Sequence, residues 1–338
     1  MKKVIPVIAI LVTVLANHSF HPPVFSSKHF SIKQLAPGTW AAINNDNYGH
    51  AICNAGIIDL GDKTVIFDPF MNLDAARDLK IIAKQLTNKD ATIIINSHYH
   101  NDHIRGNQLF LPASIISTVW TRDKIAVSEP EELEWEKANA LKYLEQNRSK
   151  LKTAIGKDKE EIPLWIGYYE AMVTNNPLMK TTLPNVTFTD SLWIHGTKKS
   201  IKLVEYRNGH TDSDLILIVP KEGIAFMGDL LFEKRHPYLG HGDPKSWMKH
   251  LNGLVDDPRV HRFVPGHGEV TDKKYVQLMS RYIGELQQLV ADGVKRQQSD
   301  SVIKATPIPA SYADWKFGRF HNANLSFLTK YVRANAGK

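Results

Sequence analysis

The apolar positions of the chain fall into short runs divided by Gly, Asp and Asn turns, the pattern of strands more than of long helices. Residues 38–43, 51–58 and 64–67 read as three such strands. Leu73, Ala76, Leu79, Ala83 and Leu86 recur near helical spacing and predict a helix, and the run 91–96 then predicts a buried strand. A second strand-rich stretch follows at 200–206, 215–219 and 223–227. Asp243-Pro244 starts a helix through Leu254, because proline suits the first helical turn. Residues 262–264 form a short strand, and Tyr275, Leu278, Met279, Tyr282, Leu286, Leu289 and Val290 hold one helical face.

Between the halves, residues of about 122–180 predict a helical insert. Its first helix, 131–151, carries Leu133, Ala140, Leu141, Leu144 and Leu151 on one face, and a second near 163–173 gathers Trp165, Tyr168 and Tyr169. A packed helical pair is one reading of the insert; a lid whose aromatics shape a substrate pocket is the other. The pattern places one main domain over 30–338, with a C-terminal helical extension over about 299–338.

The first residues, Met1-Lys2-Lys3 and the apolar run 4–16, match a secretory signal peptide over 1–16, with Val14 and Ala16 as small residues before a cut. The run is shorter than the roughly 20 residues of a spanning helix; a buried first strand or an uncleaved anchor are the other readings. The expectation is an exported protein, periplasmic or extracellular, with no membrane span once cut. At 43% hydrophobic and 23% charged, 338 residues suffice for a sizeable core. The net charge of +7 is spread along the chain and gives no nucleic-acid footprint. The single cysteine, Cys53, excludes an intrachain disulfide and reads as core within an apolar strand. Nothing in the pattern specifies an oligomeric state.

Fifteen histidines change the picture, because imidazole is the commonest metal ligand and titrates near neutral pH. His98-Tyr99-His100-Asn101-Asp102-His103 follows the buried strand at 91–96, where a loop can turn four donors toward one point. Nitrogen and carboxylate ligands suit zinc, and also iron or manganese. Three further donors each close a strand: His210, Asp229 and His267. His18, His21 and His29 sit in the polar N-terminal stretch and read as solvated.

This ordered set, with Asp68 at an earlier strand end, resembles the metallo-β-lactamase superfamily over roughly residues 35 to 285. The resemblance implies a four-layer αββα sandwich with the site along one sheet edge. It implies two zinc ions, His98, His100 and His210 on the first, Asp102, His103 and His267 on the second, and Asp229 between them. It gives Asp102 a catalytic part, accepting a hydrogen bond from a bridging hydroxide, and Asp68 the orientation of a ligand, although a turn residue also explains Asp68. The implied activity is hydrolysis of an ester, lactone, thioester or amide bond in a small-molecule substrate. β-Lactam hydrolysis is the first alternative. However, the antibiotic-hydrolysing class that the chain resembles around His210 carries a cysteine where this chain has Asp229, and a lysine where it has Phe232; Lys234 or Arg235 would have to substitute for that lysine. A mono-iron sulfur dioxygenase is the second alternative. His236, Tyr238 and His241 are candidate pocket residues, and Trp247 either packs or touches substrate.

Overall fold

The computed structural model describes residues 26–335. The leader expected at 1–16 lies outside them, as do residues 336–338 of the extension. Two sheets form the centre. The first has seven strands in chain order: β1 (Phe30–Ala36), β2 (Thr39–Asn44), β3 (Ala55–Asp59), β4 (Thr64–Phe67), β5 (Ala91–Ile95), β6 (Ser114–Thr118) and β7 (Val186–Phe188). Strands β1 to β4 pair antiparallel and β4 to β7 parallel, with helix α1 (Leu73–Thr87) crossing from β4 to β5. The second has β8 (Ser191–His195), β9 (Ser200–Arg207), β10 (Ser213–Val219), β11 (Ile224–Phe226) and β12 (Arg262–Val264), in the order β12-β11-β10-β9-β8.

Strand periodicity explains the layering. Along β10, Leu215, Leu217 and Val219 enter the core between the sheets, while Ile216 and Ile218 face the helices behind. Along β4, Val65 and Phe67 meet the opposite sheet and Ile66 meets α1. Both faces are covered, so these strands read as continuous apolar runs. Helices α5 (Pro244–Asp256), α6 (Lys273–Lys295), α7 (Asp300–Lys304) and α8 (His321–Asn335) lie on the second sheet's outer side, and the whole is an αββα sandwich. Asp243 caps α5 by accepting from Ser246 N at 2.7 Å, ahead of Pro244.

The insert comprises α3 (Val119–Leu151) and α4 (Gly156–Asn175). Helix α3 begins well before residue 131. Its buried stripe runs Thr121, Ile125, Glu129, Leu133, Glu136, Ala140 and Leu144, and two glutamates inside that stripe break the hydrophobic period. Leu141, expected on the apolar face, is exposed. The apolar run 51–58 is also not one strand: only Ala55–Asp59 pairs, and 51–54 form a loop that enters the site. Strands β7 and β8, thinly apolar and lying at sheet edges, carry no clear sequence signal. Among the described residues no helix is long and apolar enough to cross a membrane.

Candidate metal centre

The strand ends along one sheet edge converge. Strand β5 ends at Ile95, and the following loop and the short helix α2 (Asn101–Ile104) present His98, His100, Asp102 and His103. His210 lies between β9 and β10, Asp229 just after β11 and His267 just after β12. These donors form two groups. His98, His100 and His210 gather with Asp229, and His103 and His267 gather with the same Asp229, each group's ligand atoms lying within 4.8 Å of one another. The two oxygens of Asp229 divide between them. Oδ2 is 3.5 Å from His210 Nε2 and 3.9 Å from His98 Nε2, and Oδ1 is 3.1 Å from His103 Nε2 and 3.3 Å from His267 Nε2. Asp102 Oδ2 joins the second group, 3.3 Å from His103 Nε2 and 3.4 Å from His267 Nε2.

Four of the five imidazoles are held on their far side. Asp68 Oδ2 lies 2.8 Å from His103 Nδ1, and its Oδ1 accepts from Ser97 N. Ser97 Oγ meets His98 Nδ1 at 2.9 Å, and Ile52 O meets His267 Nδ1 at 2.9 Å. His241 Nδ1 meets His100 Nε2 at 2.8 Å, which leaves His100 Nδ1 facing His210 Nε2 at 3.1 Å. Such outer partners orient ligands and tune their basicity. Ile52 and Asp68 adopt positive φ, 60° and 53°, conformations that cost an order of 1–3 kcal/mol each and cluster at functional sites. At Gly266 an added Cβ would meet Asp229 Oδ1 at 2.0 Å, so only glycine admits the carboxylate there.

Four buried atoms of the donor residues make no hydrogen bond: His98 Nε2, His103 Nε2, His210 Nδ1 and Asp229 Oδ1. Buried polar atoms are rarely left so, and His98 Nε2, His103 Nε2 and Asp229 Oδ1 are atoms that face the other donors. Burial pushes His98 and His210 down, His210 to about 4, so both imidazoles are neutral with lone pairs free to bind. Burial also opposes charge on His103, but Asp102, Cys53, Asp229 and Asp68 around it outweigh burial and hold it well above the usual range. The cluster therefore attracts positive charge, and the donor set fits two nitrogen- and oxygen-liganded metal ions that share Asp229. Replacing Asp68 by alanine is expected to lower zinc affinity by about 10- to 100-fold, read by competition with a chelating dye. Unchanged affinity would show that His103 needs no such support.

Several other residues stand elsewhere than their sequence setting suggested. Cys53 is buried, but in the loop before β3; its Sγ donates to Asp102 O at 2.9 Å, and burial pushes the thiol up to about 12. It props the backbone of a ligand. His236 is no pocket residue: it is buried beneath the C-terminal segment, with Nδ1 2.8 Å from Tyr282 Oη and its ring against Trp315. His29 is not solvated; it is buried edge-on to Tyr48, ring centroids 5.3 Å apart. Trp247 packs, donating to Leu230 O and meeting the His210 ring edge-on. Arg235 turns from the site to pair with Asp46 and Glu233.

A cavity of about 290 Å³ opens over the donors. His100, Asp102, His210, Asp229 and His267 line it, as do His241 and Tyr238. Trp165 and Tyr168 of α4 form part of its wall, so the insert both packs and shapes the cavity. Glu132 of α3 and Phe317 and Phe320 of the extension complete it, and sequence patterning had marked none of these three. Phe232 stacks on the His267 ring, centroids 5.0 Å apart and 11° between planes. Beneath the donors, Arg105 bridges the metal loop to α3 through Glu129 (2.8 Å) and Glu136 (2.6 Å), and Glu136 also accepts from Asn101 and Asn176.

The sequence profile of the metallo-beta-lactamase superfamily matches residues 48–267. No curated protein sequence matches the chain. Among solved structures, the metallo-beta-lactamase from Pontibacter korlensis is similar in fold, with a TM-score of 0.52 at 15% identity over 75% of this chain and 99% of its own. So is the metallo-beta-lactamase FIM-1 from Pseudomonas aeruginosa, in its mono-zinc form, with a TM-score of 0.51 at 13% identity over 76% and 95%. A metallo-beta-lactamase from Erythrobacter litoralis gives a TM-score of 0.53 at 14% identity over 78% and 100%. The profile spans more than half of the chain, and the chain belongs to the metallo-beta-lactamase superfamily.

Proposed function

We propose that this protein is a metal-dependent hydrolase of a neutral or cationic small molecule, cleaving an ester, lactone, thioester or amide bond at a dinuclear zinc centre. The observation that carries this reading is the division of Asp229, one oxygen toward each group of imidazoles. His98, His100 and His210 would hold one ion, Asp102, His103 and His267 the other, and Asp229 both. With two metal ions bound there, the site would supply an acidified water near neutral pH and polarisation of the scissile oxygen. The chain's own groups do the rest. Asp102 accepts a hydrogen bond from the attacking water and orients it. Asp68, Ser97, Ile52 O and His241 keep the imidazoles from turning. The aromatic walls exclude bulk water and seat the apolar part of the substrate.

The likeness to β-lactamases is one of fold. No lysine or arginine lines the described cavity, Arg235 is engaged with Asp46, and a β-lactam carboxylate would have no basic side chain to meet. We further propose that the protein is exported, a reading supported only by the leader-like sequence of residues 1–16. The test is a panel of neutral and cationic esters, lactones, thioesters and amides beside β-lactams, with metal content measured on the same preparation. The expected result is about two zinc per chain and turnover within the neutral and cationic panel but not of β-lactams. One iron per chain with sulfur-oxygenating activity, or turnover confined to β-lactams, would overturn it.

A further inference from the structure

The cavity's outer wall has a chemistry of its own. Trp165 meets Phe317 with ring centroids 5.2 Å apart and Tyr168 at 5.6 Å, and Phe320 meets Phe317 at 6.0 Å and Tyr238 at 5.7 Å. These five rings form a continuous π surface. Glu132 stands beside it: the residue keeps access to solvent, and its Oε1 accepts from Asn101 Nδ2 at 3.0 Å at the cavity wall. Loss of water around the carboxyl pushes it up to about 7 against the pull of Arg105, with Glu136, Glu129 and Asp102 adding to the rise. The Tyr168 phenol, itself pushed up by burial, lies in the field of Glu136, Glu132 and Asp102. One guanidinium thus faces several carboxylates, and Arg105 is already committed to Glu129 and Glu136.

Two guanidiniums lie over these rings without lining the cavity. Arg319 lies over Trp165 at 4.3 Å while donating to Tyr169 Oη, and Arg235, which pairs with Asp46 as Lys316 does, lies 5.8 Å from the Phe317 ring centroid; none of the three lines this cavity. Ring faces and a carboxylate without a cation recognise ammonium groups. The metal donors, when filled, make their own end of the cavity positive, so a cationic group is driven toward α3 and α4 while the scissile bond meets the metals.

We infer that the substrate carries an amine or quaternary ammonium group on an apolar body, bound between Glu132 and the rings of Trp165, Tyr168 and Phe317. This inference rests on the hydrolase reading for the identity of the cavity, and a binding test separates the two. The zinc-loaded protein is titrated calorimetrically with choline and with its uncharged isostere 3,3-dimethylbutan-1-ol, neither of which can be hydrolysed. Choline is expected to bind about tenfold more tightly, consistent with a desolvated cation–π contact assisted by one carboxylate. Glu132→Gln keeps the side chain's size and an acceptor for Asn101, and is expected to cut the preference to within about threefold. Near-UV circular dichroism checks that the variant is folded. Equal affinity for the two probes, or a preference that survives in Glu132→Gln, would overturn the inference. A tenfold preference without hydrolysis of any ester, lactone, thioester or amide would support it and overturn the hydrolase reading alone.

Discussion

Replacing Asp229 by alanine is expected to empty both metal positions and to lower kcat/KM by on the order of 10³-fold or more, about 4 kcal/mol of transition-state stabilisation. The reason is geometric. Oδ1 and Oδ2 face different imidazole groups, so one substitution removes a ligand from each, together with the anion central to the cluster. His103 and His267 hold this carboxyl well below the usual range, against burial, so it is ionised and ready to bind at any working pH. Metal analysis and turnover measured on one preparation check the expectation, with circular dichroism to exclude unfolding. Full metal content with full activity would show that Asp229 is not the shared ligand. Loss of one ion alone would place it in a single group.

The largest expected loss of stability comes from Arg105→Ala, about 3–5 kcal/mol in denaturant unfolding. The guanidinium, Glu129 and Glu136 have side-chain exposures of 1%, 3% and 2%, so removing the cation strands two carboxylates in a place water hardly reaches. Burial already pushes the Glu129 carboxyl up against the pull of Arg105. Without Arg105 that rise grows, and the sign of the pH dependence follows. A carboxyl raised in the folded state favours folding below its unfolded pKa, near 4.3, and loses that contribution as pH rises through the folded value. The variant should therefore be most stable in acid and weaken toward neutrality more steeply than the wild type. Arg105→Met combined with Glu129→Leu should recover much of the loss, because an apolar replacement of a buried pair is often close to neutral. A loss below about 1 kcal/mol, or no steeper fall with pH, would show that water reaches the network.

The same network marks where sequence patterning ends. Glu129 and Glu136 occupy the buried stripe of α3, and a charge inside an apolar period reads as a solvated face unless its partner is known. That partner, Arg105, belongs to another element, brought there by the crossing from β5 to β6. Cys53 failed for a related reason. Its neighbours are as apolar as a strand's, yet Ile52 at positive φ turns the chain into the site. His236 and His241 sit five residues apart, and only the path of the loop after Asp229 sends one to Tyr282 and the other to His100.

What the sequence determined alone was the layered architecture and which residues are the candidate donors. Two-residue alternation in β4 and β10 commits side chains to opposite faces whatever the topology, and the donors stand where apolar strands end. Tertiary structure decided how those donors divide around Asp229, which atoms hold each imidazole in place, and what walls the cavity. Those depend on distances between residues far apart in the chain. Phe317 of the extension reaches Trp165 of the insert only because both pack over the same sheet edge, and no local period encodes that meeting.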